Sequence, residues 1–254
     1  MMLSTLKQSL KKFTKKTFIA IIWLGIWQAL SAVIGLSVLL PSPVETAREL
    51  ASLAVTGDFW VSVGLSVLRI TIGFLAGTLS GVLAGTVSAF SGAVSDFIAP
   101  VVSIIKATPV ASFIILAVIW LKTGNVPSFA TALIVFPFVY SNIKTGIQET
   151  DTSLLEMATA FKVSRLKKLT KIYIPSVKPY FISASTTAMG LAWKAGIAAE
   201  VICNPTMSIG NGIYEAKVYF EPASMFAWTA VVVVLSILLE KLMLAILRRG
   251  KKNA

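Results

Sequence analysis

Residues 18–40 form a run of 23 positions without one charged side chain. A helix rising 1.5 Å per residue over that length crosses about 30 Å of hydrocarbon. Folding such a run in water requires polar surface to cover it, and this chain has little. Hydrophobic residues make up 56% of the 254 positions and charged residues 13%, against about 25% charged in an average soluble domain. This balance excludes an ordinary globular enzyme, a disordered chain and a disulfide scaffold. It points to a membrane protein that crosses the bilayer several times.

Hydropathy predicts six spans, at 18–40, 61–90, 104–121, 126–143, 180–203 and 223–246. Lysines 7, 11, 12, 15 and 16 precede the first span as the basic region of a signal peptide would. The apolar run is too long for a signal sequence, however, and Pro41, Ser42 and Pro43 follow it without a small-x-small cleavage pattern. It is expected to remain as the first helix. Residues 1–17 then form a basic N-terminus, 18–249 a single transmembrane domain and 250–254 a tail.

The Lys and Arg count orients the bundle. With the N-terminus in the cytoplasm, the inner segments hold five basic residues before the first span, none at 91–96, seven at 144–178 and five from Lys241 to Lys252. The outer segments hold only Arg48, Lys122 and Lys217. Such an excess marks the cytoplasmic side, so both termini and the 144–178 loop are expected there. It also accounts for the net charge of +12 without nucleic acid.

Several chemistries are absent. There is no histidine, and Cys203 is the single cysteine. His-based metal sites and triads, internal disulfides and thiolate clusters are therefore excluded. No G-x-x-x-x-G-K-[ST] sequence occurs, so ATP chemistry, if it drives this protein, belongs to another chain. A membrane-embedded enzyme lacks support, and no metal or cofactor site is expected.

Gly73, Gly77, Gly81 and Gly85 recur every four residues in the second span. They fall near one helix face, which predicts close approach of another helix backbone.

The segment 144–178 is longer than a hairpin between two spans needs. Ser153 followed by Glu156 reads as a capping box. Leu154, Met157, Ala158 and Phe161 then fall on one apolar face of a short helix. Ser164 restarts a second helix carrying Arg165, Lys167, Lys168 and Lys171, and Pro175 is expected to end it. Such a helix can lie in the membrane interface or dock in a groove of a partner protein. Composition alone favours neither.

The run Glu156-Met157-Ala158-Thr159-Ala160-Phe161-Lys162, with Ile172-Tyr173-Ile174-Pro175 after it, resembles the EAA loop of ABC-importer permeases. The chain departs from that pattern at Met157, where the family has Ala, and at Lys162, where it has Gly. Leu68-Arg69, Gly73-Phe74, Ala107-Thr108-Pro109-Val110, Trp120, 190–200 and Ser208-Ile209-Gly210-Asn211-Gly212-Ile213 are similar to the nitrate/sulfonate/taurine permease subfamily, which also includes permeases for thiamine-precursor pyrimidines. The resemblance covers about residues 60–249. It implies an all-α fold of the type I importer kind, with six transmembrane helices and a coupling helix between the fourth and fifth. It also implies a cytoplasmic ABC ATPase partner holding ATP and Mg, an external solute-binding protein, a permease homodimer and a plasma- or inner-membrane location. Ser153, Leu154, Glu156, Met157, Ala158, Phe161, Lys162 and Pro175 would form the ATPase-coupling element.

Arg69, Lys106, Lys194 and Glu200 are charges within predicted spans. Each costs about 2.5–3.5 kcal/mol at the bilayer centre, so each should face the bundle interior or water. Lys194 and Glu200 lie about 240° apart around one helix and cannot pair along one face. Arg69, Pro109, Trp193, Lys194 and Glu200 are the candidates for a substrate pathway, with interhelical pairing and snorkelling as the structural alternatives. Three cations against one anion would suit a small anionic substrate such as a sulfonate. An ion-coupled secondary transporter is the rival class; many show internal repeats, and no convincing repeat is found between the halves.

Overall fold

The computed structural model describes residues 2–249. The expected tail 250–254, and the side chains of Lys7, Lys11, Lys12 and Lys16 in the expected basic N-terminus, lie outside the described residues. The fold is helical, with no strand among the described residues. Among the described residues eleven α-helices follow one another: α1 (Met2–Ile34), α2 (Pro43–Ala54), α3 (Gly57–Phe90), α4 (Gly92–Ala107), α5 (Val110–Trp120), α6 (Val126–Gln148), α7 (Thr152–Ala160), α8 (Arg165–Lys168), α9 (Ile174–Cys203), α10 (Ile209–Val218) and α11 (Pro222–Arg249). A π turn at Leu169–Tyr173 joins α8 to α9.

Four of the described helical segments are long and apolar enough to cross a membrane: Thr17–Ile34, Gly57–Phe90, Thr123–Gln148 and Pro222–Ile246. A fifth span arises if α4 and α5 are counted together across their 104° bend. The expected span 104–121 is thus not one helix. Thr108 is extended at the end of α4, and Pro109 follows as the N-cap of α5. Proline biases the residue before it away from helical geometry, which places the corner there. The expected inner loop at 91–96 is instead the start of α4, capped by Ser91. The first span ends early, at Ile34, because Gly35 takes a φ of +65°.

Helix α9 contains the expected fifth span but does not meet the apolarity of the other four. It carries Ser183, Ser185, Thr186, Thr187, Lys194 and Glu200. It is a core helix, with Ala188, Ala192, Ala195 and Ala199 buried, so its neighbours rather than lipid set its composition. Pro175 does not end the helical run. It stands in the first turn of α9, directly after the π turn at Leu169–Tyr173.

The chain divides into two compact units, one of residues 1–60 with 212–231, the other of 61–211 with 232–254. In the first, Trp27 Nε1 donates to the carbonyl of Pro41 at 3.0 Å and Ser31 Oγ to that of Leu40 at 2.9 Å. These bonds secure the turn after α1. Ser42 and Glu45 form a reciprocal capping box at α2. The Ser42 backbone N–H holds the Glu45 carboxyl below its ordinary range, with help from the Ser42 hydroxyl. Phe59 stacks on Trp228 with ring centroids 5.0 Å apart. The expected outer loop between the last two spans contains α10, whose Gly212 lies so close to the Trp228 ring that a Cβ there would collide with it.

In the second unit α6 and α9 pack along each other. Val135, Val139, Ile143, Ala188, Met189 and Ala192 make their shared core with Phe74 of α3. The α3 glycines meet the backbone of α6. A Cβ on Gly73 would collide with the carbonyl of Ser128. One on Gly77 would come within 2.6 Å of the Ala132 oxygen, on Gly81 within 2.8 Å of Val139 Cβ, and on Gly85 within 2.8 Å of the Tyr140 oxygen. Real Cβ atoms do not approach so closely, so glycine is what permits this spacing.

Candidate functional site

Two places in the second unit carry chemistry. The first is the loop 149–173. Helix α7 is capped by Asp151, whose carboxylate accepts from the Ser153 N–H at 2.8 Å. The expected capping box of Ser153 and Glu156 is therefore absent: Ser153 is already inside the helix. Asp and Ser both cap well, and here the residue two positions earlier takes the role. At the other end the Val163 N–H reaches the Ala158 carbonyl at 2.9 Å and the Lys162 N–H the Thr159 carbonyl at 3.0 Å. This pair of bonds is a Schellman closure, which needs a left-handed residue at its corner. Lys162 supplies it, with φ at +51°. The turn that glycine makes in the resembling loops is thus made here by a lysine, at a conformational cost.

The apolar face of α7 splits. Ala158 is buried, on the inner side. Leu154, Met157 and Phe161 remain 42%, 52% and 78% exposed, and Leu166 of α8 is 71% exposed. Glu156 is exposed beside them. Lys168 Nζ donates to Thr159 Oγ1 at 2.8 Å, bracing α8 against α7.

The second place is a charged cluster at the far end of α9. Glu200 is fully buried, and its Oε1 faces Arg69 Nη1 at 3.7 Å. Ser66, one turn before Arg69, donates to Glu200 Oε2 at 2.7 Å. The same Ser66 oxygen accepts the Ile209 N–H at 2.9 Å, and the Gly210 N–H reaches Glu200 Oε2 at 3.2 Å. A carboxylate at the N-terminus of a helix is favoured there by the unsatisfied N–H groups. Arg69 also donates to the carbonyls of Met207 at 3.2 Å and Thr206 at 3.3 Å. The cluster pins the 204–208 loop, in which Asn204 and Met207 both have positive φ. A Cβ on Gly210 would collide with Glu200, so the approach depends on glycine.

The other expected pathway residues are scattered. Trp193 is buried, and its indole N–H donates to the Val232 carbonyl at 2.9 Å. Lys194 and Pro109 are exposed. Lys106 donates to Ser141 Oγ at 2.8 Å, tying α4 to α6. Ser66 and Asp151 were not legible as functional positions. Ser66 is 134 residues from Glu200, and only the tertiary fold brings them together.

Long apolar helices around a glycine-packed core define a multi-pass membrane component. The family described as binding-protein-dependent transport system inner membrane component matches residues 73–252, and this chain belongs to it. It is 32% identical over 218 residues to SsuC of Escherichia coli (strain K12), a permease protein named for aliphatic sulfonates transport, covering 84% of this chain and 79% of that protein. The nitrate import permease protein NrtB of Synechococcus elongatus is 26% identical, covering 82% and 77%. Among solved structures, an amino acid ABC transporter crystallised with histidines superposes with a TM-score of 0.64 at 17% identity, covering 79% of this chain and 97% of that one. The inward-facing MetNI methionine ABC transporter superposes with 0.59 at 15%, covering 75% and 93%. These structures share the fold. The chain is therefore an inner-membrane permease component of an ABC importer, working with a binding protein and an ATPase subunit.

Proposed function

We propose that this chain is the permease subunit of an ATP-driven importer for a small anion, with alkanesulfonate, taurine or nitrate as the substrate class. The observation that carries the coupling role is the bare apolar face of Leu154, Met157 and Phe161 on α7. Such a face outside the bilayer is costly unless a partner covers it. In this reading an ATPase groove receives it, with Asp151 and Lys162 shaping the loop ends, Glu156 exposed beside the apolar face and Pro175 in the first turn of the helix that follows. ATP and Mg stay on the ATPase.

The functional unit is a homodimer fed by an external binding protein. Residues 18–249 form one transmembrane domain, with both termini and the 144–178 loop in the cytoplasm, as the Lys and Arg distribution favours. Transport runs by alternating access, the two bundles rocking as the ATPases close. Of the expected pathway residues, Arg69, Lys194 and Pro109 have surface to offer a solute, while Trp193 and Glu200 hold helices in place. The sulfonate and nitrate assignment rests on what SsuC and NrtB are named for.

The test is uptake into proteoliposomes holding the permease, its ATPase and its binding protein. Labelled taurine or nitrate should accumulate only with ATP and all three proteins. Accumulation driven by a proton or sodium gradient without ATP would overturn the importer reading. ATP-dependent uptake of a pyrimidine but of no anion would overturn the substrate class alone. A cysteine replacing Lys167 that reacts with an impermeant reagent in intact cells would overturn the orientation.

A further inference from the structure

A cavity of about 360 Å³ opens in the second unit where α3 ends, α6 ends and α9 begins. Val82, Ile143, Ile147, Val177 and Phe181 make its walls, so its interior is apolar. The π turn shapes one side. The Ile174 N–H bonds the Leu169 carbonyl five residues back, the π pattern, and Leu169, Tyr173 and Ile174 all line the space. Phe90 stands at the same opening and meets Tyr173 edge-on, with ring centroids 5.4 Å apart. Phe90, Leu169 and Ile174 are exposed, so the cavity is open to the surroundings of this chain.

One lining residue is charged, Lys178. The helical run leading into this wall carries Arg165, Lys167, Lys168 and Lys171, with no acidic residue between Lys162 and Lys178. The cavity opens beside the ends of α3 at Phe90 and α6 at Gln148. A molecule that is apolar on one end and anionic on the other matches an apolar cavity with a lysine at its lining, and in a bilayer that molecule is an anionic phospholipid. The ammonium of Lys178 carries three N–H donors and suits a phosphate.

We propose that this cavity holds one acyl chain of an anionic phospholipid, with Lys178 on its phosphate. The site lies beside the π turn that continues the loop helices into α9. The loop would then sense the lipid around it.

The test uses the permease–ATPase complex, incubated with phosphatidylglycerol or with phosphatidylcholine of the same acyl chains and read by native mass spectrometry. The wild-type complex should retain phosphatidylglycerol roughly fivefold better, the preference expected for one lysine at an anionic lipid. Lys178→Gln should abolish that preference, and Val177→Phe, which fills the cavity, should lower retention of both lipids. Equal retention of the two lipids by the wild-type complex would overturn the proposal without needing any variant to fold. So would unchanged retention in both variants. A Phe90→Cys complex that crosslinks to a second permease copy or to the ATPase, with no lipid retained, would assign the cavity to that partner instead.

Discussion

Glu200 and Arg69 face each other at 3.7 Å, one carboxylate and one guanidinium from helices distant in sequence, with Glu200 wholly shielded from solvent. Breaking a buried pair by removing one partner leaves the other uncompensated. Arg69→Met should therefore destabilise the protein by about 3–5 kcal/mol. Glu200→Gln keeps an acceptor for Ser66 and Gly210 and should cost less. Thermal unfolding of the purified permease checks the order. Equal melting of Arg69→Met and wild type would mean that the pair contributes nothing to folding.

The glycine face makes a prediction with its control on the same helix. Gly77→Ala and Gly81→Ala place a Cβ where α6 leaves no room, and overpacking of this kind costs about 1–3 kcal/mol. Gly64 has nothing within 4 Å of the added atom. Gly64→Ala should be neutral or slightly stabilising, since alanine is the better helix former. Side-by-side melting and expression yields check this; a loss at Gly64 as large as those at Gly77 and Gly81 would mean that contact with α6 does not set the cost.

Phe161→Asp should abolish co-purification with the ATPase, or leave ATP hydrolysis uncoupled from uptake. A charge without a partner in an apolar groove costs several kcal/mol, and the substitution lies outside the spans, so insertion should be normal. Pull-down on the tagged ATPase reads the result. If binding and ATP-dependent uptake both survive, α7 is not the coupling element.

The loop termini predict two shifts of opposite sign. Asp151→Ala removes the N-cap bond to Ser153 and should destabilise α7 by about 1 kcal/mol, whereas Ser153→Ala should change little. Lys162→Gly relieves a left-handed lysine and should stabilise the loop by about 1 kcal/mol. Amide hydrogen exchange across 151–165 is the measurement. Slower exchange in Ser153→Ala than in Asp151→Ala supports the assignment; the reverse order would return the cap to Ser153.

What the sequence made legible is local. The charge-free run, the four-residue glycine spacing and the amphipathic loop each sit within a few turns of one helix, and periodicity reports such features directly. The α7 cap was misplaced because Asp151 and Ser153 are both competent caps two residues apart, and only hydrogen-bond geometry separates them. Hydropathy does not register the bend at Thr108–Pro109 that divides the expected third span. Helix α9 reads as an ordinary span, although its alanines pack against α6 rather than lipid. The Glu200 cluster could not be seen at all: its members come from α3, α9 and the start of α10, and no local pattern links them.

The unbroken passage from α8 through the π turn into α9 has a mechanical consequence. From Arg165 to Cys203 the backbone is helical throughout, a path of about 55 Å along the helix at 1.5 Å per residue. A displacement of the loop would therefore reach Glu200, whose carboxylate accepts from Gly210 and faces Arg69, through continuous hydrogen-bonded backbone with no flexible linker in between.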